Sequence, residues 1–110
     1  MARYLVQFSY TPEAWAALLK NPQNRVEVVR PFLQRLGANF ESTYFAYGDY
    51  DLVFIMEAPD NVSAAAISLA ITAGGSVKNY KTTPLMTIEE GIEAMRKGGE
   101  ASASYRPPAS

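Results

Sequence analysis

Two segments rich in aromatic and β-branched residues, 39–47 and 50–58, flank the dipeptide Gly48-Asp49, and no other feature constrains the fold as tightly. Glycine at the first position of a two-residue connection favours a type II′ hairpin turn, because its twist matches that of the strands it joins. Such a turn sets the register: Tyr47 faces Tyr50, Phe45 faces Leu52, Thr43 faces Phe54 and Glu41 faces Met56. One face then carries Tyr47, Phe45, Tyr50, Leu52, Phe54 and Met56 and is predicted to pack on helices. The other carries Phe40, Ser42, Tyr44, Ala46, Asp51, Val53, Ile55 and Glu57, apolar in its middle and acidic toward its ends. A slip of one residue would exchange the two faces, so the inference rests on the turn.

The remaining elements follow from periodicity and punctuation. Residues 3–10 set Tyr4, Val6, Phe8 and Tyr10 against Leu5, Gln7 and Ser9, the alternation of a strand. Thr11-Pro12-Glu13 opens a helix carrying Trp15, Leu18 and Leu19. Asn21-Pro22 reads as a second cap and proline start, with Val26, Val29, Leu33 and Leu36 at helical spacing, Pro31 as a kink and Gly37 as the left-handed stop. Asp60 caps an alanine-rich helix over 63–73 that ends at Gly74-Gly75, and residues 76–83 form a last strand. Thr87-Ile88-Glu89-Glu90 is a capping box for a further helix, with Ile88, Ile92 and Met95 on one stripe and Gly98-Gly99 as its end. Met56, Met86 and Met95 sit in apolar stripes and are expected in the core. Residues 1–98 therefore read as one domain, and the Ala/Ser/Pro-rich 99–110 as a disordered tail.

The order strand, helix, strand, strand, helix, strand is that of an α+β, ferredoxin-like β-α-β-β-α-β domain with a four-stranded antiparallel sheet, here with an extra C-terminal helix. Helices cover one face only. The other, with Val53, Ile55, Phe40 and Tyr44, is too apolar to stand in water, so a sheet-face-to-sheet-face homodimer or higher homo-oligomer is expected. Gly48-Asp49-Tyr50-Asp51, the element order, the strand exit Glu57-Ala58-Pro59-Asp60 and Lys81-Thr82-Thr83 resemble the GYD domain family, from about Met1 to Met95. That family is similar to the dimeric α+β barrel proteins, which include small-molecule enzymes and ligand-sensing modules. The resemblance implies the fold and transfers no catalytic role.

Composition narrows the chemistry. With no histidine and no cysteine among 110 residues, the usual zinc, non-haem iron and haem sites, disulfides, thiolate catalysis and Ser-His-Asp or Cys-His arrangements are excluded. No cofactor and no metal are expected. A net charge of −1 with scattered basic residues gives no footprint for nucleic acid, and no apolar run reaches the roughly 20 residues of a membrane span, so neither nucleic acid nor membrane is an expected partner. The sequence starts on a strand-like segment rather than on a signal peptide, and cytoplasm is the default.

Asp51 leads the candidate site residues. On the mixed face beneath a second sheet, its carboxylate could act as a general base; equally, it could bond turn amides and hold the hairpin. Tyr44 on the same face could donate a proton or stack on a flat ligand. Gln7, Ser9, Ser42, Val53, Ile55, Tyr80 and Lys81 complete the expected lining of an inter-sheet cavity for a small, partly apolar ligand. Glu57 lies about 20 Å from Asp51 by strand rise, too far for a carboxylate pair, and reads as a rim charge pairing with Lys78, Lys81 or an arginine. The sequence thus supports a small-molecule binding protein. A cofactor-independent isomerase or monooxygenase-like enzyme using Asp51 and Tyr44, or a non-catalytic assembly module, stand as alternatives.

Overall fold

The computed structural model describes residues 1–108. Its element order is β1 (Ala2–Tyr10), α1 (Pro12–Lys20), α2 (Arg25–Arg35), β2 (Asn39–Phe45), β3 (Leu52–Ala58), α3 (Asn61–Ala73), β4 (Val77–Leu85) and α4 (Ile88–Ala101), then a short 3₁₀ turn at Ser102–Ser104. The strands form one antiparallel sheet in the order β2-β3-β1-β4. The chain is therefore α+β, with the expected strand arrangement and four α-helices. No described helix is long and apolar enough to cross a membrane.

Local chemistry sets most helix starts. Thr11 Oγ1 accepts the Ala14 amide at 3.2 Å, and Asp60 Oδ1 accepts the Ser63 amide at 2.8 Å. Thr87 and Glu90 close a reciprocal capping box at 2.9 and 3.0 Å. The start of α2 differs from expectation. Asn24, not Asn21, is the cap, taking the Glu27 amide at 3.3 Å, so Pro22 lies in the linker before the helix. The helix runs through Pro31 and stops at Gly37, whose φ of +75° suits glycine. A Cβ at Gly37 would also meet Pro59 Cγ at 3.2 Å.

The 46–51 connection is not a two-residue hairpin. β2 ends at Phe45, β3 begins at Leu52, and Gly48 is not in the positive-φ region that a type II′ turn requires of it. The Ala46 amide still donates to the Asp51 carbonyl at 2.8 Å, which preserves the expected pairing of Phe45 with Leu52 and Thr43 with Phe54. Register then shifts between Phe40 and Ser42, so Phe40, not Glu41, pairs with Met56. This bulge turns Phe40 off the mixed face and onto the helix side, where its ring meets Phe54 at 5.0 Å and lies under the Arg30 guanidinium at 5.5 Å. Glu41, freed from the core side, takes the Arg3 Nε hydrogen bond at 2.7 Å.

The core lies between the sheet and helices α1 to α3. Tyr4, Val6, Phe8 and Tyr10 from β1 and Leu52, Phe54, Met56 and Ala58 from β3 are buried, with Leu33 of α2 and Ile67 of α3 packed against them. The expected helix-side role of Tyr47 fails, since its side chain is fully exposed in the connecting loop. Leu19 is exposed as well. So are Met86 and Met95, which leaves Met56 as the one buried methionine of the expected three. No residue of α4 is buried, and the helix continues through Gly98 and Gly99 to Ala101. A molecule 59 Å long with a radius of gyration of 17.8 Å exceeds the roughly 13 Å of a compact domain of this size, as a helix standing off the body requires. Residues 109 and 110 of the expected tail lie outside the described residues.

Candidate functional site

Directly paired residues of antiparallel strands share a face, so the register maps the side of the sheet that helices α1 to α3 leave open. One row across it reads Tyr44, Val53, Gln7, Lys81. The next reads Ser42, Ile55, Leu5, Thr83, and a third Asn39, Glu57, Arg3, Leu85. Six of the expected cavity residues (Gln7, Ser42, Tyr44, Val53, Ile55 and Lys81) therefore do gather on one surface. Its centre, Leu5, Val53 and Ile55, is apolar. At one end Arg3 bridges Glu41 at 2.7 Å and Glu57 at 3.2 Å, which gives Glu57 its arginine partner. Toward the other end, Lys81 opposite Gln7 and Lys78 opposite Ser9 are exposed, without an acid partner among the described residues.

Asp51 does not share that surface. Its Oδ2 accepts the Tyr10 amide at 2.9 Å and the Trp15 indole N–H at 3.0 Å, while its own amide donates to the Phe8 carbonyl at 2.9 Å. Trp15 belongs to α1, and its ring packs edge-on against Tyr10 at 5.2 Å on the helix side. The carboxylate thus ties the 46–51 loop to the β1–α1 junction rather than to the amides of its own turn. Ser9 also turns to this loop: buried, its hydroxyl donates to the Asp49 carbonyl at 3.2 Å.

Tyr80 leaves the expected cavity too. β4 carries an irregularity opposite Gln7 to Ser9, with Asn79 at φ +54°, and it delivers Tyr80 to the helix side. There its ring stacks on Phe8 at 5.5 Å, nearly parallel. Burial pushes its pKa up to about 12. The neighbouring Ser68 hydroxyl pulls the other way, but its hydrogen bonds go to the Ala64 carbonyl and Thr82, and the Tyr80 hydroxyl has no hydrogen-bond partner among the described residues.

The feature missed in the sequence is the state of α4. Ile88, Ile92 and Met95 recur at helical spacing on one stripe, the signal of a packed face, yet all three are exposed and Met86 before them is too. The pattern announced an apolar face correctly. Nothing in it said that this fold would offer the helix no surface to cover. Arg3, near the base of α4, feels the charge of Glu90 only weakly beside those of Glu41 and Glu57.

The described residues thus leave one sheet face and the α4 stripe largely open, while Asp51 is engaged between the 46–51 loop and α1. Residues 4–95 match the GYD domain family. The chain belongs to that family. The matched range includes Gly48-Asp49-Tyr50-Asp51, and Asp51 carries the loop-to-α1 clamp described above. The GYD chain is also 31% identical over 89 residues to a Thermus thermophilus protein described as a glutamine synthetase and cystathionine beta-lyase binding protein. That match covers 81% of this chain and 87% of the relative. Among the described residues, no group of three or more acidic side chains converges to hold a metal ion.

Proposed function

We propose that this GYD protein is a non-catalytic binding module that associates through its open sheet face with a second copy and uses α4 to hold a metabolic enzyme. The uncovered stripe of Ile88, Ile92 and Met95, with Met86 at its foot, carries this reading. An amphipathic helix gains most of its stability from burying its apolar face, so a capped helix that leaves Ile88 and Met95 largely exposed and Ile92 only partly covered is matched to a groove on another protein. The relative's description as an enzyme-binding protein supports the same class of partner.

Self-association suits the sheet face better than a reaction does. Leu5, Val53 and Ile55 form an apolar centre, with Lys78 and Lys81 toward one end and Glu41 and Glu57 at the other. A two-fold axis lying across the strands sets the lysine end of one sheet over the acidic end of its mate. Gln7, Tyr44 and Lys81 then lie in the contact rather than around a reacting molecule, and Asp51, the expected base, is engaged elsewhere.

The test is binding of the purified full chain to glutamine synthetase and to cystathionine β-lyase, read by biolayer interferometry alongside native mass spectrometry. The expected result is a dimer that binds at least one enzyme, with Ile92→Glu and Met95→Glu together abolishing binding while the dimer and its melting temperature hold. Failure of the wild type to bind either enzyme, or full binding by the double variant, overturns the role of α4. A monomeric wild type overturns the sheet-to-sheet association.

A further inference from the structure

The three helices over the sheet do not meet at its centre. Between them and strands β1 and β3 lies a cavity of about 490 Å³, within the roughly 300–1,000 Å³ typical of small-molecule sites. Phe8 and Phe54 contribute to its sheet side, and Leu18, Val29 and Ile71 supply one wall each from α1, α2 and α3. It lies on the face of the sheet opposite to the proposed dimer contact and independent of α4.

Its lining has an unusual balance: a single charged residue, Arg25, in an otherwise apolar and neutral wall. The Arg25 guanidinium donates to Gln23 Oε1 at 3.2 Å. Arg3, Arg30 and Arg96 each pair with a carboxylate, whereas Arg25 has none among the described residues. Tyr10 belongs to the same lining, and its phenol lies near enough to feel the Arg25 charge. Burial outweighs that charge and holds the Tyr10 pKa above its ordinary value, so at neutral pH the phenol keeps its proton and is available as a donor. A guanidinium on a partly buried residue, without an acid partner, and a neutral hydroxyl, set on an apolar hollow, are the recognition chemistry of a carboxylate attached to an apolar body.

We propose that this cavity binds an apolar monocarboxylate, aliphatic or aromatic, with its carboxylate on Arg25 and Tyr10 and its body over Phe8 and Phe54. The proposal does not depend on the enzyme-binding role, since α4 forms no part of the cavity.

Titration of ¹⁵N-labelled full-length protein with octanoate and with 4-phenylbutyrate tests it, against 1-octanol and 4-phenylbutanol as neutral counterparts and acetate as a body-less one. Saturable shifts at the amides around Phe8, Phe54 and Ile71 are expected for both acids. The alcohols are expected to bind at least about tenfold more weakly, the weight of one charge-assisted hydrogen bond, and acetate not at all. Arg25→Gln should bring the acids down to the level of the alcohols, with the rest of the amide spectrum unchanged as the check on folding; Tyr10→Phe should give a smaller loss in the same direction. Equal binding of acids and alcohols, an unchanged affinity in Arg25→Gln, or no saturable shift with either acid overturns the proposal.

Discussion

One oxygen of Asp51 holds two elements at once: Oδ2 accepts the Tyr10 amide at 2.9 Å and the Trp15 indole N–H at 3.0 Å. Loop 46–51, the end of β1 and helix α1 are thereby joined at a single atom. Asp51→Ala leaves both donors without that acceptor, and a loss of about 2–3 kcal/mol in urea unfolding is expected. Asp51→Asn keeps an acceptor oxygen and loses only the charge, for about 1 kcal/mol. Equal losses in the two variants would mean that the carboxylate charge, not the acceptor, holds the junction.

The bulge at Glu41 makes Phe40 and Tyr44 unequal partners in the same strand. Phe40 packs on Phe54 and under Arg30, whereas Tyr44 stands on the open face as a residue 68% exposed. Phe40→Ala should cost about 2–3 kcal/mol of unfolding free energy, and Tyr44→Ala less than about 0.5 kcal/mol in the isolated chain at low concentration. The register without a bulge requires the reverse order. At concentrations where the chain associates, Tyr44→Ala should also weaken the proposed dimer, read as a rise in its dissociation constant by analytical ultracentrifugation.

The Tyr80 hydroxyl is buried without a hydrogen-bond partner among the described residues, and its pKa is pushed up to about 12 from an ordinary 10.0. A folded pKa above the unfolded one contributes stability that is complete below about pH 10 and lost as the pH rises toward 12. Tyr80→Phe removes both the orphaned hydroxyl and this dependence. Stability at pH 7 should hold or rise by up to about 1 kcal/mol, and the alkaline fall in urea midpoint should flatten. A clear loss at pH 7 would show that the hydroxyl is satisfied after all, with Ser68 the nearest candidate.

Gly98 and Gly99 lie inside α4, and a Cβ added at either meets nothing within 4 Å. Replacing both with alanine should raise local helix stability by about 1 kcal/mol each. Greater helicity at 222 nm and slower amide exchange in α4 would register the gain, with little change in global melting because the helix stands off the body. Reduced association in the double variant would mean that another molecule approaches the helix closely at these glycines.

Much of the scaffold was legible because it is written in local chemistry. Thr11, Asp60 and Thr87 cap helices wherever they precede a helical stripe, and the alternation of Tyr4, Val6, Phe8 and Tyr10 fixes which side of β1 meets the core. The site was only partly legible. Gln7, Ser42, Tyr44, Val53, Ile55 and Lys81 fall on one face because period-two alternation holds along β1 and β3 and along the parts of β2 and β4 beyond their irregularities. Phe40 and Tyr80 were misplaced because the register shifts near each of them. A bulge reverses the inward and outward sides of whatever follows it, without leaving a mark in the alternation of residue types.

The sequence by itself determined the order of strands and helices, the caps of α1, α3 and α4, and the chemistry that a chain without histidine or cysteine forgoes. Only the tertiary structure decided where Asp51 spends its carboxylate, that α4 leaves its stripe uncovered, and that Arg25 opens onto a hollow beneath the helices. These are relations between residues far apart in the chain. They depend on distances that packing sets and that composition, periodicity and spacing do not encode.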